Sequence, residues 1–187
     1  MITPTKPRLF RWVCPLGALA LAVAPVGAQE PVPDAPAETP LPPPPCQGEE
    51  HHQFDFWVGE WDVTQPDGQL AGTNRIERIL DGCVLHESWR SANGLSVGHS
   101  FNIRARDGRW HQTWVDNSGL LLELVGGIEG GRMVMGQDTV RPDGTKVRHE
   151  ISWEPLPTGQ VKQRWRATQD GGLTWTDVFV GIYTKKK

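Results

Sequence analysis

The stretch TKVRHEISWEPLPTGQVKQRWRAT, residues 145–168, alternates apolar and polar side chains on both sides of a Pro-Thr-Gly turn. In its first half, Val147, His149, Ile151 and Trp153 share one face, and mostly charged residues occupy the other. Alternation with a period of two is typical of a strand that is buried on one side only. Because the turn glycine accepts positive φ, the stretch predicts an antiparallel hairpin with one solvent-exposed face and one apolar face.

The same unit of strand and turn recurs along the chain from Val58 onward. Ten candidate strands are separated by nine turn signals: PDG at 66–68, DG at 81–82, NG at 93–94, DG at 107–108, DNSG at 116–119, EGG at 129–131, PDG at 142–144, PTG at 157–159 and DGG at 170–172. Such a run must close on itself or split into two sheets. Short sequential turns favour closure, which removes exposed edges, whereas a sandwich normally needs longer crossovers. We therefore predict an all-β fold, an antiparallel up-and-down β-barrel of about ten strands, with a sandwich as the alternative.

Three candidate strands carry a polar residue two positions before a tryptophan: Glu87-x-Trp89, Gln112-x-Trp114 and Gln163-x-Trp165. Each pair shares a face because side chains alternate along a strand. If the indole rings face inward, a carboxylate and two amides do so as well. Two histidines, His99 and His149, also lie on faces that carry apolar residues. An unpartnered buried polar group costs about 1–3 kcal/mol, so these residues imply either a ligand cavity or a self-satisfied network in a filled barrel.

The first 45 residues differ in composition from the rest of the chain. Three basic residues precede the apolar run WVCPLGALALAVAPV and the small-residue end VGA, which indicates a secretory signal peptide over residues 1–28. An uncleaved N-terminal anchor is the alternative, although two prolines interrupt a run of only 15 residues. Residues 29–45 hold eight of the 16 prolines, which predicts an extended linker before a domain over residues 46–187. We expect an exported protein, periplasmic or secreted, without a membrane span.

The chain that cleavage after Ala28 would leave is acidic and has two cysteines. It keeps 16 basic and 22 acidic residues, a net charge of −6. This balance argues against nucleic acid and anionic membrane surfaces as partners. An even pair of cysteines in an oxidising compartment predicts a disulfide between Cys46 and Cys83, with two free thiols as the alternative.

The stretch QFDFWVGEWDV, residues 53–63, places two Trp and two Phe around a Gly-Glu pair. It resembles the start of the lipocalin and calycin superfamily, in which a short helical turn leads into Gly-x-Trp on the first strand. With LDGCVLHESW, GRWHQTWVDNSG and DGGLTWTDVFVGIY, it is similar to a family of exported bacterial barrels described as a domain of unknown function. The similarity covers about residues 50–185.

This resemblance implies a calycin-like barrel with a short helical turn at one end, and no established activity. Trp61 would lie under the barrel floor, FDFW would close that end, and Gly59 would allow a close backbone approach. A disulfide between Cys46 and Cys83 would then fasten the floor segment to the barrel wall.

The inward residues support a first hypothesis, that the barrel binds a small, partly apolar ligand without a catalytic role. The candidate ligand-binding residues are Glu87, Trp89, His99, Gln112, Trp114, His149, Gln163 and Trp165. A second hypothesis is a cofactor-free enzyme, in which Glu87 acts as acid or base with His99 or His149 as its partner. A third is a structural or envelope-interaction module with a filled barrel.

No motif in the sequence predicts a metal or a cofactor. His51 and His52 lack a third ligand at a recognisable spacing, and HESWR and HEISW lack the second histidine of a zinc-protease helix. Haem-binding barrels of the calycin group take an axial histidine from a late strand, and this chain has none after His149. The identity of the ligand and the oligomeric state stay open.

Overall fold

The computed structural model describes residues 45–187, which form a closed barrel of ten antiparallel strands. The strands are β1 (Gly59–Thr64), β2 (Leu70–Ile79), β3 (Val84–Ser91), β4 (Val97–Arg104), β5 (Trp110–Asp116), β6 (Leu121–Glu129), β7 (Arg132–Val140), β8 (Lys146–Pro155), β9 (Val161–Thr168) and β10 (Thr176–Lys185). Each strand pairs with its neighbours in the chain, and β1 pairs with β10 to close the sheet. The predicted up-and-down barrel is confirmed, and the sandwich is wrong.

All nine predicted turn signals lie at the junctions between consecutive strands. Gly94 and Gly108 show why glycine is needed there, because both have φ near +75° (72° and 76°), a region that L side chains rarely adopt. Odd-numbered strands run away from the end where the N-terminal segment enters, and even-numbered strands return to it. We call the end beside the N-terminal segment the closed end and the opposite end the open end.

The inner and outer faces of the barrel follow the sequence alternation. On β3, Leu85 and Glu87 are buried and Trp89 is half-buried on the inner side, whereas Arg90 is exposed. The same parity places Trp153 of β8 wholly inside. The alternating pattern thus predicted the inward positions of these strands correctly.

The segment before β1 fills the closed end. It contains two 3₁₀ turns, Glu49–His51 and Asp55–Trp57. The rings of Phe54 and Trp57 stack on each other with centroids 4.9 Å apart, and both are fully buried. Phe54 lies 5.8 Å from Trp110 and 5.2 Å from Trp153, so the rings of the turn pack against the inner wall. The prediction that a short helical turn closes one end is confirmed.

The Gly-x-Trp pair at the start of β1 has two distinct roles in this closure. Gly59 has φ of +143°, and a Cβ there would lie 3.2 Å from Lys185 Cε, so a larger residue would be strained. Trp61 is fully buried and donates from Nε1 to the carbonyl of Trp57 at 2.9 Å. This bond fixes the 3₁₀ turn against the first strand.

Covalent and ionic links also hold the N-terminal segment. Cys46 and Cys83 form a disulfide, which confirms that prediction and excludes two free thiols. Cys83 lies in the turn before β3, not on the strand itself. Arg78 of β2 donates to the carbonyl of His51 at 3.0 Å and to the Asp55 carboxylate. These hydrogen bonds and the disulfide both attach the N-terminal segment to the barrel wall.

The signal peptide predicted over residues 1–28 and nearly all of the linker predicted over residues 29–45 lie outside the described residues. Within residues 45–187, none of the helices has the length and apolar character needed to cross a bilayer.

Candidate functional site

The barrel interior is divided into a filled half and a hollow half. At the closed end the space is filled by aromatic rings, chiefly those of Phe54, Trp57, Trp110 and Trp153. Toward the open end the interior holds a cavity of about 260 Å³. It reaches the exposed residues Ser96 and Val178, so it meets solvent at that end of the barrel. The interior is therefore not filled along its whole length, as the hypothesis of a structural module with a filled barrel assumes.

The walls of the cavity are mainly aromatic. Trp89 of β3, Trp114 of β5, Trp165 of β9 and Phe179 of β10 supply large aromatic surfaces, and Leu122 and Ile151 add aliphatic surface. Trp89 and Phe179 meet edge to face with centroids 6.1 Å apart. Such rings offer a large apolar contact area to a small ligand.

Three of these rings pack over inward-facing glycines. A Cβ on Gly98 would lie 2.3 Å from Trp114 Cζ2, and one on Gly72 would lie 2.7 Å from Trp89 Cη2. Gly181 has the same relation to Phe179, with 2.8 Å to Cε1. Aromatic rings often cover glycines in this way on a sheet surface. Here the absence of a Cβ lets each ring lie close to the wall, which leaves the centre of the barrel open.

A β-bulge sets the position of Phe179. The pairing of β10 with β9 shifts between Asp177 and Phe179, so Val178 is the extra residue. Phe179 then stands opposite Trp165 and faces the cavity. Bulges commonly re-aim a side chain beside a functional site.

Glu87 is the acid of the cavity, and it is almost completely buried. Its Oε1 accepts from Asn74 Nδ2 at 2.6 Å, and its Oε2 accepts from Ser100 Oγ at 2.6 Å. Within residues 45–187 it makes no ion pair with a lysine, arginine or histidine. Burial raises the pKa of Glu87 to about 7, and the hydrogen bonds from Ser100 and Asn74 offset only part of that rise.

The other polar residues of this layer form a chain of hydrogen bonds behind and beside Glu87. Asn102 Nδ2 donates to Ser100 Oγ at 2.9 Å, and Gln112 Nε2 donates to Asn102 Oδ1 at 2.7 Å. Asn74 Nδ2 also donates to the Tyr183 hydroxyl at 3.3 Å, and Tyr183 donates that hydroxyl to Gln163 Oε1. Burial, and secondarily the charge of Glu87, raise the pKa of Tyr183 well above its ordinary value, so the phenol stays neutral. Most of the layer is thus satisfied by its own members.

Six of the predicted site residues meet at this cavity. They are Glu87, Trp89, Gln112, Trp114, Gln163 and Trp165. His149 shares the inner face of β8 with Ile151 but does not line the cavity, and its Nδ1 accepts from Trp165 Nε1 at 3.2 Å. Burial, and to a lesser extent the charge of Arg141, lower the pKa of His149, which keeps the imidazole neutral as this bond requires.

His99 does not face the cavity. It lies on the outer surface, with its Nδ1 3.2 Å from His86 Nε2 and its ring stacked on that histidine. The inner face of β4 is instead Gly98, Ser100 and Asn102, which are all buried. The prediction followed the more apolar face of β4, and it was wrong because Glu87 requires a donor opposite it. Ser100 pairs directly with Glu87 and meets that need.

Sequence reasoning missed several residues of the site: Asn74, Ser100, Asn102, Phe179 and Tyr183. Isolated glycines inside strands were a usable signal for the aromatic positions, because such glycines often mark a ring packed above them. The small polar residues of β2 and β4 gave no such signal. Their inward position depends on the register that brings them opposite Glu87.

No cluster of three or more metal-ligating side chains occurs in the described part of the chain. His52, one of the two adjacent histidines near the start of the domain, contacts Asp55 Oδ2 through its Nδ1 at 2.7 Å. Comparison with known proteins adds no precedent for the site: no protein-family model matches the chain, and no curated protein is similar to it.

Proposed function

We propose that this protein is an exported calycin-like barrel that binds a small, partly apolar ligand in its interior. The observation that carries the proposal is the cavity of about 260 Å³ between tryptophan walls and a polar floor that contains Glu87. Its volume is slightly below the range of about 300–1,000 Å³ that is usual for ligand pockets, so the ligand is small.

The arrangement of polar and apolar groups supports binding of an oriented ligand. The wall aromatics lie near the open end, and the polar groups lie deeper, where the cavity meets the filled half of the barrel. A ligand with an apolar body and one polar end fits this gradient, since its polar end can replace water at the floor. Glu87 and the two glutamines Gln112 and Gln163 are the groups available there.

Export is supported by the N-terminal sequence and by the disulfide between Cys46 and Cys83. Disulfides persist in oxidising compartments such as the periplasm and the extracellular space. Membership of the exported barrel family rests on the motifs of the barrel domain and on the 3₁₀ turn that leads into Gly-x-Trp.

Acid–base catalysis by Glu87 has one observation in its favour, the raised pKa of that carboxyl in a cavity. The two histidines suggested as partners do not reach it, since His99 is on the outer surface and His149 is bonded to the Trp165 indole. We therefore favour binding without catalysis.

Binding can be tested with N-phenyl-1-naphthylamine, a neutral apolar dye whose fluorescence intensity rises in an apolar environment. Leu122→Trp would fill the cavity, because Leu122 is buried in its lining. Leu121→Trp is the matched control, because Leu121 is the preceding residue on β6 and is 51% exposed. We expect saturable binding to the mature wild type and to Leu121→Trp, and at least about tenfold weaker binding to Leu122→Trp.

Leu122→Phe provides a milder filling variant if the tryptophan prevents folding. The proposal is wrong if the wild type shows no saturable binding of the dye. It is also wrong if the two substitutions on β6 weaken binding equally, because the dye would then lie on the surface.

A further inference from the structure

The cavity contains one acid and no base. Among the described residues that line it, Glu87 is the sole side chain that carries a charge near neutral pH, and no lysine, arginine or histidine is present. Glu87 is 4% exposed and has no counterion within the described part of the protein. A buried carboxylate without a cation is costly, and the protein could have avoided that cost with a glutamine.

The groups around Glu87 leave few hydrogen-bond donors for a ligand. Two of the three wall indoles are already used, since Trp165 donates to His149 and Trp114 donates to Asp116 at 3.3 Å. The amide nitrogen of Gln112 donates to Asn102. Among the described lining residues, the side-chain N–H donors left without a partner are Trp89 Nε1 and Gln163 Nε2, whose residue uses only its Oε1. A ligand therefore meets the Glu87 carboxylate, these two donors and aromatic carbon.

We propose that the cavity selects a small organic cation, a protonated amine or quaternary ammonium on a compact apolar body. Its charge would lie against the Glu87 carboxylate, and its carbon atoms would contact Trp89, Trp114 and Trp165. This inference rests on the proposed function, because it names the class of ligand that the same cavity takes. Aromatic walls attract cations through the negative faces of their rings, and the carboxylate supplies the opposite charge at the floor.

The alternatives within the same cavity are disfavoured by its charge. A carboxylate ligand would meet Glu87 as a like charge and would find no cationic side chain among the lining residues. A neutral ligand would be accepted by the walls but would gain nothing from the ionised Glu87 carboxylate.

The protonation state of Glu87 makes this selectivity dependent on pH. The residues that face Glu87 from the neighbouring elements are Asn74 of β2, Ser100 of β4, Gln112 of β5, Gln163 of β9 and Tyr183 of β10. Tyr183 is the one titratable group among them, and its raised pKa keeps it neutral. With the pKa of Glu87 at about 7, the ionised fraction falls about tenfold from pH 8 to pH 6. An alkylamine stays protonated over that range.

The test uses three probes of similar size: 2-phenylethylamine as the cation, 2-phenylethanol as the neutral analogue and 3-phenylpropionate as the anion. Calorimetry on the mature protein would measure each dissociation constant at pH 6 and at pH 8. We expect 2-phenylethylamine to bind at least about tenfold tighter than 2-phenylethanol at pH 8. We also expect its affinity to fall about tenfold at pH 6. The affinity for 2-phenylethanol would change little.

Glu87→Gln should remove both the preference for the amine and its pH dependence, while 2-phenylethanol still binds. Glu123→Gln is the matched control, since Glu123 is an exposed acid on β6, and it should change neither. The pH profile of the wild type tests the proposal even if Glu87→Gln does not fold.

The outcomes separate the ligand class from binding itself. Equal affinities for amine and alcohol at pH 8, or tighter binding of 3-phenylpropionate, would overturn the proposal of an organic cation as the ligand. The proposed function, binding of a small ligand, would stand. The amine would also be overturned, and the proposed function kept, if the naphthylamine dye binds but none of the three probes does. Failure of the dye as well would remove the proposed function and the amine with it.

Discussion

The two halves of the barrel are built from the same kinds of residue and yet have opposite interiors. At the closed end, tryptophans and Phe54 meet each other across the interior, with Phe54 and Trp57 stacked 4.9 Å apart. At the open end, Trp89 and Trp114 lie over glycines of neighbouring strands and leave a cavity. The number of aromatic residues therefore does not decide whether a barrel is filled. What decides it is whether a segment enters the barrel and whether the wall beneath each ring has a Cβ.

The polar layer between the halves marks the boundary. Glu87, Ser100 and Asn102 are buried there, below the cavity and above the aromatic packing. A hydrogen-bonded layer of this kind is stable only when its members are satisfied. Within this layer of the described structure, Asn74 Oδ1 is the exception, because it is buried and has no partner. The polar layer thus forms the floor of the cavity, and the unpartnered Asn74 carbonyl lowers the free energy of unfolding.

The largest expected difference between the halves is in the free energy of unfolding. Trp57→Ala removes a fully buried ring from the closed end and should cost about 3–5 kcal/mol. Trp165→Ala makes the same change at the half-buried cavity wall and should cost about 1 kcal/mol, with a marked loss of dye binding. Urea unfolding followed by far-ultraviolet circular dichroism would measure both. Equal losses would show that the cavity half is as tightly packed as the closed half.

The disulfide should stabilise the closed half of the barrel and should not affect ligand binding in the cavity. The bond joins residues 37 positions apart, so replacing Cys46 and Cys83 by alanine should lower the free energy of unfolding by about 2–4 kcal/mol. Dye affinity, measured well below the new unfolding midpoint, should stay within about twofold of the wild type. A large loss of affinity in folded protein would mean that the N-terminal segment also shapes the cavity.

Glu87 should make the stability of the polar layer depend on pH. Its folded-state pKa of about 7 lies above the value of 4.5 expected when unfolded, so the folded state holds the proton more tightly. Stability from this group is fully present below pH 4.5 and is lost between about pH 4.5 and pH 7, by about 3 kcal/mol at most. Unfolding measured against pH should show this fall in the wild type and lack it in Glu87→Gln. A wild-type profile that matches the variant would show that the carboxyl is not desolvated.

The smallest effect concerns the glycines beneath the rings. Gly98→Ala would place a Cβ 2.3 Å from Trp114 and should cost about 1–2 kcal/mol while pushing the ring into the cavity. Gly127→Ala is the control, because no atom lies within 4 Å of a Cβ at that site. We expect Gly98→Ala to weaken dye binding and Gly127→Ala to leave it unchanged. Unchanged binding in both would mean that Trp114 does not limit the space.

Most of the fold and half of the site could be predicted from local patterns. Turn glycines and the alternation of side chains are short-range signals. They identified the ten strands and the three inward-facing pairs of a polar residue and a tryptophan. The position of His99 could not be predicted in this way, because the more apolar face of β4, which carries Phe101 and Ile103, turns outward. Which face turns inward was decided by the neighbours of that strand, where Glu87 needs the Ser100 hydroxyl and Trp114 needs the space above Gly98.

The amino-acid sequence by itself determined that the chain curls into a closed antiparallel sheet, since alternation and turn geometry depend only on residues a few positions apart. Only the tertiary structure decided that one half is filled and the other hollow, and that Glu87 lies at their boundary without a counterion among the described residues. Those properties arise from contacts between residues distant in the chain, such as Asn74 with Tyr183 and Phe54 with Trp153. The register of ten paired strands sets these contacts, and no single stretch of the sequence contains it.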